Sequence, residues 1–178
     1  MSAMNSIVAV FDTQTEVETA VRDLHQAAFD LKKLSVLGRE HESGEHMLGY
    51  YNIRGRMRYC GARGSFWNDV WRLLDGAGHF AIPGFGRILT AGPLTVGVAS
   101  AIEGPVGEGL SAVGASLSGM SIPRASVLRY ESALRMHKLL LVADGSAREV
   151  LKCKEVLHEN KARETNVHFA EENVPSAA

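Results

Sequence analysis

Short apolar runs alternate with stretches of helical periodicity at both ends of the chain. Ser6 to Phe11 (SIVAVF) is apolar and β-branched and predicts a buried strand. Thr13 with Glu16 three residues on makes a capping box, in which each side chain satisfies a donor at a helix start. Val17, Ala20, Val21, Leu24 and Ala28 follow at helical spacing and place one face on the sheet. Leu34 to Leu37 predicts a second strand. The same order returns near the end: a strand at Leu139 to Ala143, a capping box at Ser146 and Glu149, and a helix lined by Val150, Leu151, Val156 and Leu157. Asn166 to Phe169 predicts the last strand, and an aspartate follows the first strand of each copy, Asp12 and Asp144.

Two βαβ copies predict an α+β fold: a ferredoxin-like, pseudo-duplicated sheet of four strands with two helices on one face. Residues 1–39 form the first half. Residues 40–121 are a large insertion holding a polar linker and a glycine-rich helical hairpin, and 122–178 supply a helix and the second half of the same domain. Pro123 starts that helix, where its missing N–H is harmless, and Val127, Tyr130 and Leu134 form its apolar face.

The insertion concentrates the unusual composition. Eleven of the eighteen glycines fall between residues 76 and 121, interrupted by three charged residues, Arg87, Glu103 and Glu108. Glycine inside a helix costs about 0.8–1 kcal/mol relative to alanine, so such helices need a close neighbour that exploits the missing Cβ atoms. Prolines 83, 93 and 105 divide the stretch into a turn at Ile82-Pro83-Gly84, a helix from Pro93 to Ile102 and a second helix from Val106 to Met120. Gly92, Gly97, Gly104, Gly107, Gly109, Gly114 and Gly119 form small-residue faces that other copies of the chain are expected to cover. The longest uncharged run, Ile88 to Ile102, has fifteen residues, short of the roughly 20 that a spanning helix needs.

A formal charge of −1 argues against general nucleic-acid affinity. The two cysteines, Cys60 and Cys153, lack any CxxC spacing and match thiol usage in a reducing compartment. The N-terminal MSAMNSIVAVF has no basic region before it turns strand-like, which predicts no signal peptide and a cytoplasmic location.

Five blocks carry a family resemblance: RMRYCGARGSFWNDVWRLL, FAIPGFGRILTAGPL, GLSAVGASL, SIPRASVLRYESAL and KLLLVADG. Together they resemble a bacterial family of general-stress or heat-induced-stress protein domains, some of whose members are labelled permeases or membrane proteins on hydropathy alone. The resemblance runs over most of the chain and implies a stress-associated, non-enzymatic protein with no catalytic motif to transfer. Cys60, Asn68 and Asp69 make one block more polar than in similar proteins, which argues against its insertion into a membrane.

No catalytic residues and no cofactor are assigned. Serines of the hairpin lack a GxSxG elbow, and Gly84-Phe85-Gly86 lacks the GK[ST] ending of a phosphate loop. His41, Glu42, Glu45 and His46 have metal-ligand chemistry, but Gly44 and the polar flanks favour a solvated linker, so no metal is assigned. Arg54, Arg56, Arg58 and Arg63, interleaved with Tyr50, Tyr51 and Tyr59, offer forked donors to an anion or lipid headgroup, against the plainer use of pairing with carboxylates. Trp67 and Trp71, four apart, join Val70 and Leu74 on one helical face suited to packing or an interface. The expected function is self-assembly into a homo-oligomer through the hairpin and these tryptophans. Two alternatives stand beside it: peripheral binding to an anionic membrane through the hairpin, tryptophans and arginines, and a metal- or small-ligand-binding regulator.

Overall fold

Strand β1 (Asn5–Phe11) is buried along its whole length, and its side chains divide between two separate cores. Ile7, Ala9 and Phe11 belong to one, Val8 and Val10 to the other. Strand β7 (Leu139–Gly145) repeats this, with Leu139, Leu141 and Ala143 opposite in direction to Leu140 and Val142. Such runs, apolar on both sides of a pleat, belong to a sheet covered on both faces.

The computed structural model describes residues 5–39, 46–48, 58–60, 70, 72–74, 76–82, 85–103, 110–160 and 162–170. With β2 (Leu34–Arg39), β5 (Ala77–Ile82), β6 (Gly86–Ala91) and β8 (Glu164–His168), the two central strands form one six-stranded sheet in the order β5-β6-β2-β7-β1-β8. Every adjacent pair is antiparallel; Val8 faces Val142 across β1 and β7, and Leu37 faces Leu140 across β2 and β7. A separate ladder pairs β3 (His46–Leu48) with β4 (Arg58–Cys60).

On one face lie α1 (Gln14–Gln26) and α5 (Ala147–His158). Both predicted capping boxes are present, Thr13 with Glu16 and Ser146 with Glu149. Val17, Ala20, Val21 and Leu24 of α1 and Val150, Cys153 and Leu157 of α5 fill the first core. On the other face lie α2 (Leu94–Glu103), α3 (Ala112–Ser118) and α4 (Arg124–Arg135). Leu94, Val98, Val113, Leu117, Val127, Tyr130 and Leu134 pack there on Val8, Val10, Leu37, Ile88, Leu140 and Val142. The glycine-rich helices therefore cover their own sheet.

The first part of the glycine-rich stretch is not helical. Ala77–Ile82 and Gly86–Ala91 pair as antiparallel strands that widen the sheet by two beyond the four expected. Glycine misled the reading here because its use is local: Gly78 lies where a Cβ would come within 2.6 Å of the Thr90 hydroxyl, and Gly86 turns the chain at φ +84°. The second helix begins at Ala112, with the Ser111 side chain as its cap, rather than at Val106, which lies outside the described residues.

The link between the βαβ units is partly ionic. Lys33, in the 3-10 turn Leu31–Lys33, donates to Glu149 at 2.6 Å. This bond and the Ser146 backbone amide hold the Glu149 carboxyl at about 2, below its ordinary 4.5. A carboxylate depressed on folding contributes stability that is present above its unfolded value and lost as pH falls towards the folded one. The expected result is that the difference in melting temperature between wild type and Glu149→Gln shrinks as pH drops from about 4.5 to about 2. A difference that stays constant across that window would show that the bond adds nothing. The pair is partly exposed, so the effect is a modest one.

Candidate functional site

Two surfaces emerge from this arrangement. The first is the outward side of α2. Its start is fixed by buried polar contacts: the Leu94 amide donates to the Ser35 hydroxyl at 3.0 Å, and the Thr90 and Thr95 hydroxyls lie 2.9 Å apart. Gly92 turns the chain from β6 into the helix at φ +95°. Gly97 faces α3, where a Cβ would approach Ser116 Oγ to 2.5 Å. Gly114 of α3 faces the buried Glu131 of α4, and Gly119 ends α3. These four expected interface glycines thus make their close approaches inside the chain or close a helix. α2 leaves two apolar side chains outward, Val96 at 51% exposed and Ile102 at 41%, with the polar Ser100 also exposed.

Trp67, Trp71, Gly104, Gly107, Gly109, Arg54, Arg56, Arg63 and His41 lie outside the described residues. Arg58 sits in β4 opposite Leu48, and His46 in β3 opposite Cys60. Val70 and Leu74 are buried in the first core. Among the described residues no group of three or more His, Cys, Asp or Glu could hold a metal. Among them, too, no helix is long and apolar enough to cross a membrane.

The second surface is a cleft of about 420 Å³ at one end of the sheet, lined by Asp12 to Thr15, Gly38, Arg39 and Met136 to Leu139. Three elements meet there because β1 and β2 end where β7 begins; Phe11 pairs with Leu139. The Asp12 carboxylate accepts from Lys138 at 2.5 Å and from Arg163 at 3.0 and 3.3 Å. Hydrogen bonds from Lys138 first and Arg163 second hold its carboxyl below the ordinary carboxylate range. Arg39 donates to the Arg135 carbonyl at 3.1 Å. Glu16 uses one carboxylate oxygen on the Asp12 and Thr13 amides, at 3.2 and 3.3 Å.

Sequence reading noted the recurring aspartate but not this cleft, lined by Arg39 and Lys138, nor the Arg163 that bonds its Asp12. Only the strand order could have joined them. The second aspartate, Asp144, has a different environment: half-burial pushes its carboxyl up, against the pull of Lys33. Cys153 is enclosed in the first core and its thiol is pushed up to about 12, so it is a packing residue at neutral pH rather than a thiolate. Tyr130, fully buried, shares a 2.7 Å hydrogen bond with His168 of the edge strand β8.

These features define an α+β protein with a six-stranded antiparallel sheet between two helical layers. No protein-family model, curated protein or solved structure matches the chain.

Proposed function

We propose that the chain is a non-enzymatic protein that self-assembles into a homo-oligomer through the outward side of α2, in a stress-associated setting. The carrying observation is a helix with no charged side chain from Leu94 to Ile102 whose outer side nevertheless faces solvent in the single chain. Covering the exposed Val96 and Ile102 side chains removes apolar surface from water, which favours association. A second copy supplies a matching surface, since a two-fold contact sets the same patch against itself. The contact is smaller than a sequence-only reading implies, because the inner side of the hairpin covers its own sheet. The stress association rests on the five resembling sequence blocks alone.

We also infer that β2-β7-β1-β8 with α1 and α5 is a ferredoxin-like core to which the β5–β6 hairpin and the α2–α4 layer were added. Support comes from the interleaving of the two βαβ units: β7 lies between β1 and β2, and β1 between β7 and β8.

Size-exclusion chromatography with light scattering tests the assembly. The expected result is an oligomer at micromolar concentration, and an increase of about a hundredfold or more in its dissociation constant for Val96→Glu or Ile102→Glu, because each buries an unpaired carboxylate. A monomeric wild type ends the proposal. If that monomer floats with anionic vesicles, the apolar side of α2 serves lipid instead.

A further inference from the structure

We propose that the cleft between the ends of β1, β2 and the start of β7 binds the phosphate group of a small soluble phosphomonoester, with Arg39 and Lys138 as its principal ligands. The cleft's volume of about 420 Å³ lies in the range of small-molecule sites. Cations enter it from two separate elements, Arg39 from the end of β2 and Lys138 from the turn before β7, with His137 beside them. Arg163 reaches the same carboxylate as Lys138 from the approach to β8. A guanidinium and an ammonium lining one recess match phosphate oxygens in charge and in donor type.

Two acids lie at this end of β1. Glu16 is committed to the capping box through the Asp12 and Thr13 amides. Asp12 is the informative one, because its carboxylate already occupies an anionic position between Lys138 and Arg163. It acts as an internal occupant that an incoming phosphate displaces from Lys138. The rim adds Met136, 68% exposed, as an apolar surface for the body of the ligand. A phosphate ester with a ring or hydrocarbon portion therefore suits the recess better than phosphate alone.

The placement of Asp12 gives the test a sign that a merely structural ion pair would not. Isothermal titration of the full chain with inorganic phosphate and with adenosine 5′-monophosphate is the measurement. Expected is saturable binding, tighter for the nucleotide. Lys138→Gln and Arg39→Gln should each weaken it by about tenfold, the loss of one charge-assisted hydrogen bond. Asp12→Asn should strengthen it by about threefold or more, since the cations no longer serve an internal carboxylate. Lys138 lies just before β7, and circular dichroism confirms that each variant is folded. The proposal is overturned if neither wild type nor Asp12→Asn binds either probe at about 10 mM, well above a millimolar affinity. It is overturned equally if folded Lys138→Gln binds as well as wild type, or if Asp12→Asn weakens binding.

Discussion

Replacing Gly92 by alanine is expected to destabilise the protein by about 3–5 kcal/mol, whereas Gly97→Ala costs about 1 kcal/mol or less. The two residues bracket the first turn of α2 and look alike in the sequence. At Gly92 the backbone sits at φ +95°, where L side chains are strained, and a Cβ would run into the Leu34 carbonyl and come within 2.7 Å of Ser35 Cα. Both obstacles are backbone of the neighbouring strand β2, so relief requires moving a strand of the sheet. The Gly92 amide also donates to Gly76 at 2.9 Å, and its carbonyl accepts from Thr95 at 3.1 Å, so the residue cannot shift without loosening the helix start. At Gly97 the obstacle is the Ser116 hydroxyl, which can rotate away, and alanine regains about 0.8–1 kcal/mol of helix propensity. Urea denaturation of both variants reads the contrast. Equal losses would mean that the glycines act through some common property, such as contact with another copy, rather than through these intrachain distances.

That contrast explains how far the sequence was legible. The βαβ copies were readable because their signals are local: β-branched runs, capping boxes and apolar residues at helical spacing lie within a dozen residues of one another. The helix after Pro123 was readable for the same reason. The β5–β6 hairpin was not, because Ala77 to Ile82 carries three small residues and its strand character comes from pairing with Gly86 to Ala91 and from the strand beyond. Propensity in sheets expresses fit to neighbours more than an intrinsic preference. The glycines were read as a surface for other copies, yet Gly92, Gly97 and Gly114 each answer to a partner far along the same chain or across a turn. Glycine announces that something comes close; it does not say what.

The cleft was illegible for a related reason. Asp12 stood out as the residue following a strand, but its meaning depends on Lys138 and Arg163, over a hundred positions away. Antiparallel pairing of β1 with β7 and β8 brings those cations to its end of the sheet. Composition could not reveal it either, because a net charge near zero is compatible with local separation of charge.

Glu131→Ala is expected to cost about 3–4 kcal/mol, although glutamate in the middle of a helix ordinarily marks a solvated side. Here the residue is 2% exposed, and its carboxylate accepts from the Ser111 hydroxyl at 2.5 Å and the Ser111 amide at 3.3 Å. The same hydroxyl accepts from the Gly114 amide at 3.1 Å, so one serine oxygen caps α3 and donates to α4 at once. Truncating the glutamate leaves a void and removes the acceptor of two partly buried donors, and both losses add to the cost. Glu131→Gln keeps an acceptor of nearly the same size and should lose only about 1 kcal/mol. Ser111→Ala strips the carboxylate of a strong donor and removes the helix cap, for about 2–3 kcal/mol. Because the two side chains form one unit, the double variant should lose clearly less than the sum of the single ones, with a coupling of at least about 1 kcal/mol. Additive losses would reduce the contact to coincidence. The pair joins the start of α3 to α4, and α3 packs on α2. In the proposed homo-oligomer, loosening it with Glu131→Ala should weaken self-association even though the residue itself is buried.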